Sequence, residues 1–263
     1  MNNENTKGNI GVFDSGLGGL WILKHIRELL PEYNYVFYGD QKNVPYGNKS
    51  KNDLFVFTTT ALAFLYGEQN CVVVLLACNT TSTAIYPELK EWVRENYPDR
   101  LLFGIAHPTV ESISDSNGVM VFATHRTVDS HFYKESLEEK NIETHEFVLP
   151  ELASIIEKGG DVSAYLDQNR EVIPAGVDSV VLGCTHYGIA VSEFKNIFPN
   201  VSNWILQEEI TPPFLEKYIK ENQNFNNKLA LDGSLIFYIT GENPIFQKYG
   251  QDWYGDDFEI KYL

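Results

Sequence analysis

Residues 72–84 read VVVLLACNTTSTA, and residues 178–190 read DSVVLGCTHYGIA. In each stretch an apolar run is followed by a small residue, a cysteine and a cluster of polar side chains. The run VVVLLA is too continuously apolar for a strand with one face in water, so it indicates a central parallel strand. The two stretches therefore place Cys78 and Cys184 at matching points, each just after a buried strand.

The rest of the chain alternates short apolar strands with amphipathic helices. Ser50, with Asp53 three positions later, resembles a capping box and predicts the start of one helix. This alternation predicts an α/β fold with mainly parallel sheets covered by helices. The other predicted strands are IGVF (10–13), YVFY (35–38), LLFGI (101–105), VMVFA (119–123), ETHEFVL (143–149), SVVL (179–182) and SLIFYI (234–239).

Two motifs recur in the same order at nearly the same offset. Cys78 and Cys184 are 106 positions apart, and VFDS (12–15) matches VFAT (121–124) at an offset of 109. A chance match stays open, because many parallel strands end in this way. A duplication would give two halves built on one plan, each presenting the strand ends where open α/β sheets bind ligands. Two such edges facing each other would form a cleft with one cysteine on each wall.

The composition argues against several classes of protein. A formal net charge of −16 argues against a nucleic-acid partner. The longest apolar run, from Cys71 to Cys78, is far shorter than the ~20 residues that span a membrane, and residues 1–10 lack the apolar core of a signal peptide. Three cysteines, an odd number, do not form a disulfide framework. We therefore expect a cytoplasmic protein with free thiols and with no nucleic-acid or membrane partner.

The positions of the cysteines favour thiol chemistry. Cys78 precedes a helix predicted to begin around Ser82, and Cys184 precedes one predicted to begin around Tyr187. A helix N-terminus lowers the pKa of a thiol from its usual value of about 8.5. The alternative is that each cysteine is only a small buried apolar residue, which is the preferred interpretation of Cys71.

The polar residues after the two cysteines are hard to explain as core packing. Asn79, Thr80 and Thr81 follow the first cysteine, and Thr185 and His186 follow the second. Together with backbone N–H groups, these side chains could bind a carboxylate. The spacing of the other histidines does not match a metal site, so no metal is expected.

Two further loops are candidates for ligand binding. FDSGLGG (13–19) fails the dinucleotide-binding pattern, because Trp21 replaces its third glycine. It is either a tight turn that needs glycine for positive φ, or a loop in which Asp14 and Ser15 bind a ligand with an ammonium and a carboxylate group. GDQKNVPYGNKS (39–50) contains turn-forming Pro and Gly residues, and its Tyr46 could cap the core or close over a small ligand.

Four motifs in order resemble the cofactor-independent aspartate/glutamate racemase family, and the glutamate racemases within it. They are FDSGLGGL (13–20), YGD with VPYG (38–40 and 44–47), ACNTTS (77–82) and GCTHY (183–187). The DSG and PYG signatures favour glutamate over aspartate. Weaker similarity extends the resemblance over nearly the whole chain, in ATHRTVDSHFY (123–133), ASIIEKGG (153–160) and FYITGENPIF (237–246).

The resemblance implies two pseudo-symmetric, doubly wound α/β domains with the active site between them. Residues 1–99 plus 208–263 would form the first domain, which carries Cys78, and residues 100–207 the second, which carries Cys184. Members of the family are often dimeric, so a homodimer is the implied oligomer, with no fixed arrangement.

The resemblance also implies the chemistry. Inverting a stereocentre requires an acid and a base on opposite faces. Cys78 would deprotonate D-glutamate and Cys184 L-glutamate, without any cofactor, and the D-glutamate would serve peptidoglycan synthesis. Asp14 and His186 would tune the thiols and so take part in catalysis, with Glu157 and Asp40 as weaker candidates. The implied substrate-binding residues are Asp14, Ser15, Tyr46, Gly47, Asn79, Thr80, Thr185 and His186, joined by Thr124 and Thr127 as further candidates.

The chain departs from the family pattern at three places. Gly188 replaces the usual proline after GCTHY, His107 replaces an acidic residue near the domain crossover, and the segment 203–214 is atypical. These departures bear on domain geometry and regulation more than on the type of reaction.

Three other functions stay open at this point. They are a racemase of aspartate or a related acid, a non-catalytic ligand-binding homologue, and a thiol hydrolase or redox protein. The last would need a Cys–His pair or a C-x-x-C motif, and a histidine only two positions after Cys184 is awkwardly placed for a general base.

Overall fold

Two parallel sheets organise the chain in a computed structural model that describes residues 7–255 and 258–263. The six-stranded sheet has the order β10-β9-β2-β1-β3-β4 and the four-stranded sheet the order β6-β5-β7-β8. All pairings between these strands are parallel. The strands are β1 (Asn9–Asp14), β2 (Tyr35–Gly39), β3 (Cys71–Leu76), β4 (Leu101–Gly104), β5 (Val119–Ala123), β6 (Thr144–Val148), β7 (Ser179–Gly183), β8 (Asn203–Ile205), β9 (Leu235–Ile239) and β10 (Ile260–Tyr262).

Helices connect the strands and cover both faces of the sheets. The α-helices are α1 (Gly18–Leu29), α2 (Lys51–Ala63), α3 (Asn79–Ala84), α4 (Tyr86–Asn96), α5 (Ala106–Glu111), α6 (His125–Asp129), α7 (Phe132–Glu138), α8 (Leu152–Glu157), α9 (Val162–Asp167), α10 (Thr185–Ile189), α11 (Val191–Ile197), α12 (Gln207–Glu221), α13 (Gln223–Asn226) and α14 (Pro244–Tyr254). Short 3₁₀ turns at Gln41–Asn43 and Tyr46–Asn48 and a π-helical turn at Phe64–Glu68 complete the connections.

Each sheet is buried on both faces. In β1, Ile10 and Val12 pack into one apolar cluster and Phe13 into another, as the two-residue period of a strand requires. In β5, Phe122 and Val121 divide in the same way between two clusters of the second sheet. The predicted α/β fold with two doubly wound parallel sheets is thereby confirmed.

Several local predictions can be compared with the structure. β3 pairs with β1 on one side and β4 on the other, which confirms it as an interior strand. The side chain of Ser50 caps α2 by accepting a hydrogen bond from the backbone N–H of Asp53. β8 and β10 were not predicted. Each has three residues, too few to show an alternating pattern.

The predicted starts of the two helices after the cysteines are wrong by three and two residues. α3 begins at Asn79 and α10 at Thr185, so each cysteine occupies the N-cap position itself. The polar residues that suggested a loop are therefore the first turns of these helices.

The predicted division into domains, 1–99 plus 208–263 and 100–207, stays a prediction, but one strand needs reassignment. β4 pairs with β3 and extends the six-stranded sheet, whereas a boundary at residue 99 assigns β4 to the second unit. The chain therefore crosses to the second sheet after Gly104. Within the described ranges, no helix is long and apolar enough to cross a membrane.

Candidate active site

A cavity of about 460 Å³ lies where the carboxyl ends of strands from both sheets meet. Ser15 follows β1 and Cys78 follows β3 of the first sheet. Thr124 follows β5 and Cys184 follows β7 of the second. All four residues line the cavity, so the two cysteines belong to different sheets that face a common space.

Most of the predicted site residues line this cavity. They are Ser15, Tyr46, Gly47, Cys78, Asn79, Thr80, Thr124, Glu157, Cys184, Thr185 and His186. Asp14, Asp40 and Thr127 are not among the lining residues. From α8, sequence reasoning named only Glu157, and it missed the other lining residues of this helix and of the loop before it, which are Pro150, Glu151, Ala153, Ser154, Ile155 and Lys158. The similarity at ASIIEKGG was the only signal for that wall.

The Cys78 thiol lies in a hydroxyl-lined, acidic environment. Its Sγ is 3.6 Å from Oγ of Ser15, and the residue is buried. Burial raises the pKa of the Cys78 thiol to about 11, and the nearby Asp14 carboxylate adds to this shift. In the enzyme without substrate, the Cys78 side chain is therefore a protonated thiol near neutral pH.

Asp14 lies behind the cavity wall and is fully buried. Its Oδ1 accepts a hydrogen bond of 2.7 Å from the backbone N–H of Gly16, and its Oδ2 accepts one of 3.2 Å from the Thr185 hydroxyl. Burial raises the pKa of Asp14 to about 6, against the opposing effect of His186. The carboxyl thus joins the first sheet to the Thr185 turn of the second.

Cys184 lies beside an imidazole that is itself held by a carboxylate. Its Sγ is 3.7 Å from Nδ1 of His186, and Nε2 of that ring is 2.8 Å from Oε1 of Glu157. The histidine that seemed awkwardly placed two positions after the cysteine is in contact with it, because α10 begins between them and turns the ring back. The Cys184 thiol, the His186 imidazole and the Glu157 carboxylate therefore form a hydrogen-bonded chain of three side chains.

The protonation of His186 follows from these contacts. Burial alone would lower the pKa of His186, but the hydrogen bonds to Cys184 and Glu157 outweigh it and hold that pKa well above its usual value. For Glu157, burial opposes ionisation, yet the bond to His186 keeps the pKa of this carboxyl lowered. A protonated imidazole stabilises negative charge on the neighbouring Cys184 sulfur.

The glycines of FDSGLGG allow close approach of the two halves. None of Gly16, Gly18 and Gly19 has a positive φ, so the interpretation as a turn that needs glycine for its backbone angles is wrong. A Cβ on Gly18 would instead collide with the Thr185 hydroxyl and the backbone N of His186.

Tyr46 and Asp40 form a buried pair next to the cavity. The Tyr46 hydroxyl donates a hydrogen bond of 2.6 Å to Oδ2 of Asp40, whose other oxygen accepts one of 2.6 Å from the Thr240 hydroxyl. Asp40 therefore anchors the Tyr46 ring and does not face the cavity itself.

Hydroxyl groups connect the two walls elsewhere. Oγ1 of Thr124 is 3.2 Å from Oγ1 of Thr80 and 3.2 Å from Oγ1 of Thr127. Thr127 is buried and acts through Thr124. As for metals, the described part of the chain contains no cluster of three or more His, Cys, Asp or Glu side chains that could hold an ion.

Comparison with known proteins supports the resemblance. No protein-family model matches the chain. The glutamate racemase of Fusobacterium nucleatum subsp. nucleatum is 32% identical over 95% of this chain and 96% of its own length. Glutamate racemase 1 of Caldanaerobacter subterraneus subsp. tengcongensis is 33% identical over 92% of this chain and 90% of its own. The chain belongs to the glutamate racemase family. It is accordingly an enzyme of the isomerase class, a racemase.

A solved structure of a family member matches the whole architecture. The crystal structure of glutamate racemase from Francisella tularensis in complex with D-glutamate superposes with a TM-score of 0.85 at 27% identity. The match covers 98% of this chain and 97% of the other. The two parallel sheets of this chain thus match the architecture of a solved glutamate racemase.

Proposed function

We propose that this racemase interconverts L- and D-glutamate through Cys78 and Cys184, without a cofactor. The observation that carries the proposal is the placement of these two thiols after β3 and β7, in walls that come from different sheets and enclose one cavity. Family membership and the D-glutamate complex of the Francisella relative support glutamate as the substrate.

The reaction needs one proton to leave Cα and another to arrive on the opposite face. One thiolate takes the α-proton, so the Cα–H bond breaks and a carbanion-like species forms. The opposite S–H group then donates its proton to the other face of Cα. Two identical side chains suit a reaction that must run in both directions, because each is the base for one enantiomer and the acid for the other.

The two thiols have unequal neighbours. The protonated His186 imidazole lies beside the Cys184 sulfur, whereas burial and Asp14 keep Cys78 protonated. Cys78 thus begins as a proton donor, the role it has in the reaction from L-glutamate, where Cys184 is the base. Reaction from D-glutamate, in which Cys78 is the base, requires the opposite distribution of the proton.

Polar groups of the cavity wall would hold the substrate. The hydroxyls of Ser15, Thr80, Thr124 and Thr185 and the amide of Asn79 can donate hydrogen bonds to carboxylate oxygens, and Tyr46 with Gly47 closes one side. Donors fixed before the substrate arrives bind its carboxylates without having to reorganise during the reaction. Asp14 and His186 would act through the thiols.

The biological role proposed for the product is the supply of D-glutamate for peptidoglycan synthesis in a bacterial cytoplasm. A homodimer stays a prediction.

The nearest alternative substrate is aspartate, which is shorter than glutamate by one methylene group. One methylene changes the free energy of binding in a pocket by only about 1–3 kcal/mol. A substrate panel must therefore accompany the test.

Exchange of the α-proton tests the proposal. Each enantiomer of glutamate is incubated with enzyme in deuterated water and followed by proton NMR and optical rotation. We expect loss of the α-proton signal with decay of rotation from both enantiomers. Racemisation should fall by at least about 1,000-fold in Cys78→Ala and in Cys184→Ala, because each variant lacks one of the two proton carriers.

The neighbouring cysteine provides the control. Cys71→Ala removes a thiol that opens β3 and lies outside the cavity, so racemisation should persist. Folded, reduced enzyme that exchanges neither enantiomer of glutamate would contradict the proposal, and exchange of aspartate in its place would transfer it to that acid.

A further inference from the structure

Asn79 is bound to a buried hydrogen-bond network beneath the cavity. Its Nδ2 donates to Oε1 of Gln207 at 2.7 Å, and its Oδ1 accepts from Nε2 of Gln207 at 3.0 Å. Oδ1 also accepts a hydrogen bond of 2.6 Å from the Tyr133 hydroxyl. The two carboxamides therefore face each other in a reciprocal pair.

Gln207 makes the connections that close this network. Its Nε2 lies 3.0 Å from the Thr109 hydroxyl and 3.0 Å from the Tyr133 hydroxyl. Asn79, Thr109, Tyr133 and Gln207 are all buried, with exposed fractions of 3%, 0%, 0% and 2%. A polar side chain that is cut off from water is costly unless it is paired, so losing one member leaves the others unsatisfied.

The four residues come from four separate segments. Asn79 begins α3, directly after Cys78. Thr109 lies in α5, which leads from the first sheet to the second, and Tyr133 lies in α7 beside the second sheet. Gln207 begins α12, which packs against α1 after the last strand of the second sheet. The network therefore joins the turn that carries Cys78 to both crossings of the chain.

In this bonding pattern the Asn79 amide directs its oxygen into the network. Its oxygen is occupied by two donors from the network, and one hydrogen of Nδ2 is used by Gln207. Because Asn79 lines the cavity, its second amide hydrogen is the one that remains for a molecule bound there. The reversed amide would present an oxygen, which repels a carboxylate.

We propose that Gln207 is a positioning residue of this racemase, which holds Asn79 as a donor toward a substrate carboxylate and secures the Cys78 turn against the second half. The proposal rests on the proposed function. It also assigns a role to part of the atypical segment 203–214, in which Gln207 lies. Asn79 touches the substrate, and Gln207 acts through Asn79.

Steady-state kinetics of Gln207→Leu test the role. A donor to the carboxylate binds the ground state and the transition state alike, so its loss raises KM and changes kcat little. We expect KM for both enantiomers of glutamate to rise by about 10-fold or more, with kcat within about 3-fold of wild type. Tyr133→Phe removes one donor to Oδ1 and leaves the carboxamide pair, so its KM should rise less.

The matched control is Glu208→Gln. Glu208 is the next residue of the same helix turn and is also buried, yet it makes no hydrogen bond to Asn79 within the described chain. Its KM should stay near that of wild type. An unchanged KM in Gln207→Leu, or an equal change in both variants, would overturn the positioning role.

A measurement without substrate separates this proposal from the proposed function. The side-chain amide of Asn79, assigned through its loss in Asn79→Asp, should give a shifted, slowly exchanging pair of signals in ¹H–¹⁵N NMR of wild type. We expect these signals to move and exchange faster in Gln207→Leu but not in Glu208→Gln. Unchanged Asn79 signals in Gln207→Leu overturn the positioning role even if glutamate is racemised. Wild type that leaves the α-proton of glutamate in place overturns the function, whatever the amide shows.

Discussion

The two strand ends that carry Cys78 and Cys184 are alike in backbone and different in electrostatics. Each cysteine follows a buried parallel strand and occupies the N-cap position of the short helix after it. Cys78 has the Ser15 hydroxyl and the buried Asp14 as neighbours, whereas Cys184 has the imidazole of His186. The same local fold thus places one thiol beside a carboxyl group and the other beside a cation.

Pseudo-symmetry of the fold therefore does not impose equal electrostatic environments on the two cysteines. Enantiomers have equal free energies in water, so kcat/KM must be equal in the two directions at every pH. The unequal environments can therefore appear only in kcat and KM taken separately, in substrate-free reactivity, and in the response to mutation.

Among variants that keep both thiols, the largest expected effect comes from removing the cation beside Cys184. His186→Gln should lower kcat/KM by roughly 10- to 100-fold in both directions, because a hydrogen bond to a charged group contributes about 1.5–3 kcal/mol. Initial rates with L- and D-glutamate measure it. Glu157→Gln keeps an acceptor near Nε2 without its charge, so it should lower kcat/KM less. A kcat/KM within about 3-fold of wild type in His186→Gln would show that the imidazole is not needed.

The next effect concerns stability on the Cys78 side. Asp14 has its pKa raised to about 6 in the folded protein, above the value of about 4 in an unfolded chain. The folded state therefore binds this proton more tightly, and it loses stability as pH rises through that window. Asp14→Asn should raise the free energy of unfolding above pH 6 by up to about 3 kcal/mol.

Denaturant unfolding at two pH values measures this contribution. The gain in Asp14→Asn should be present near pH 7.5 and vanish as the pH falls to about 3, below the unfolded-state pKa, where the wild-type carboxyl is largely protonated in both states. The same variant should lose racemase activity, since the carboxylate beside Cys78 is gone. Equal stability of the two proteins at pH 7.5 would mean that burial does not penalise this charge.

The smallest effect is expected on the Cys184 side, at the glycine that departs from the family pattern. A Cβ on Gly188 would lie 2.6 Å from Oε1 and 2.7 Å from Oε2 of Glu208, so two of the atypical features face each other. Gly188→Ala should cost only about 1 kcal/mol in unfolding free energy, because the end of a glutamate side chain can move aside.

A double-mutant cycle checks this steric explanation. Glu208→Ala removes the obstructing carboxylate, so the penalty of Gly188→Ala should disappear when both changes are combined. An equal penalty with and without Glu208 would assign the cost to the α10 backbone instead.

Much of the fold could be predicted because its signals are local. The apolar run 72–77 showed β3 as an interior strand, and Ser50 with Asp53 showed the start of α2. β8 and β10 could not be predicted, since three residues carry no periodicity. The assignment of β4 to the first sheet depends on its pairing with β3, a tertiary contact that strand-like residues do not reveal.

The sequence shows which types of residue form the site, but it does not show which of them are in contact. The cysteines and their polar neighbours follow strand ends, which sequence patterns show. The contact of His186 with Cys184 depends on where α10 begins, and that start was misplaced by two residues. The role of the glycines in 13–19 depends on Thr185 and His186, which lie about 170 residues away in the chain.

The alkylation rate of each thiol, measured as a function of pH, tests directly whether the environments of Cys78 and Cys184 differ. Substrate-free enzyme is treated with iodoacetamide to low conversion, and peptide mass spectrometry gives the rates at Cys78 and Cys184. Cys71, which is buried in β3 and has its pKa raised by burial, reports any unfolding.

Cys184 should react faster than Cys78 near pH 7, because the His186 cation lies beside its sulfur. The rate at Cys78 should then rise about 10-fold per pH unit toward its pKa of about 11, because the thiolate is the reacting species. Equal rates near neutral pH, or faster modification of Cys78, would contradict the inference that the His186 cation favours the thiolate more than the surroundings of Cys78 do.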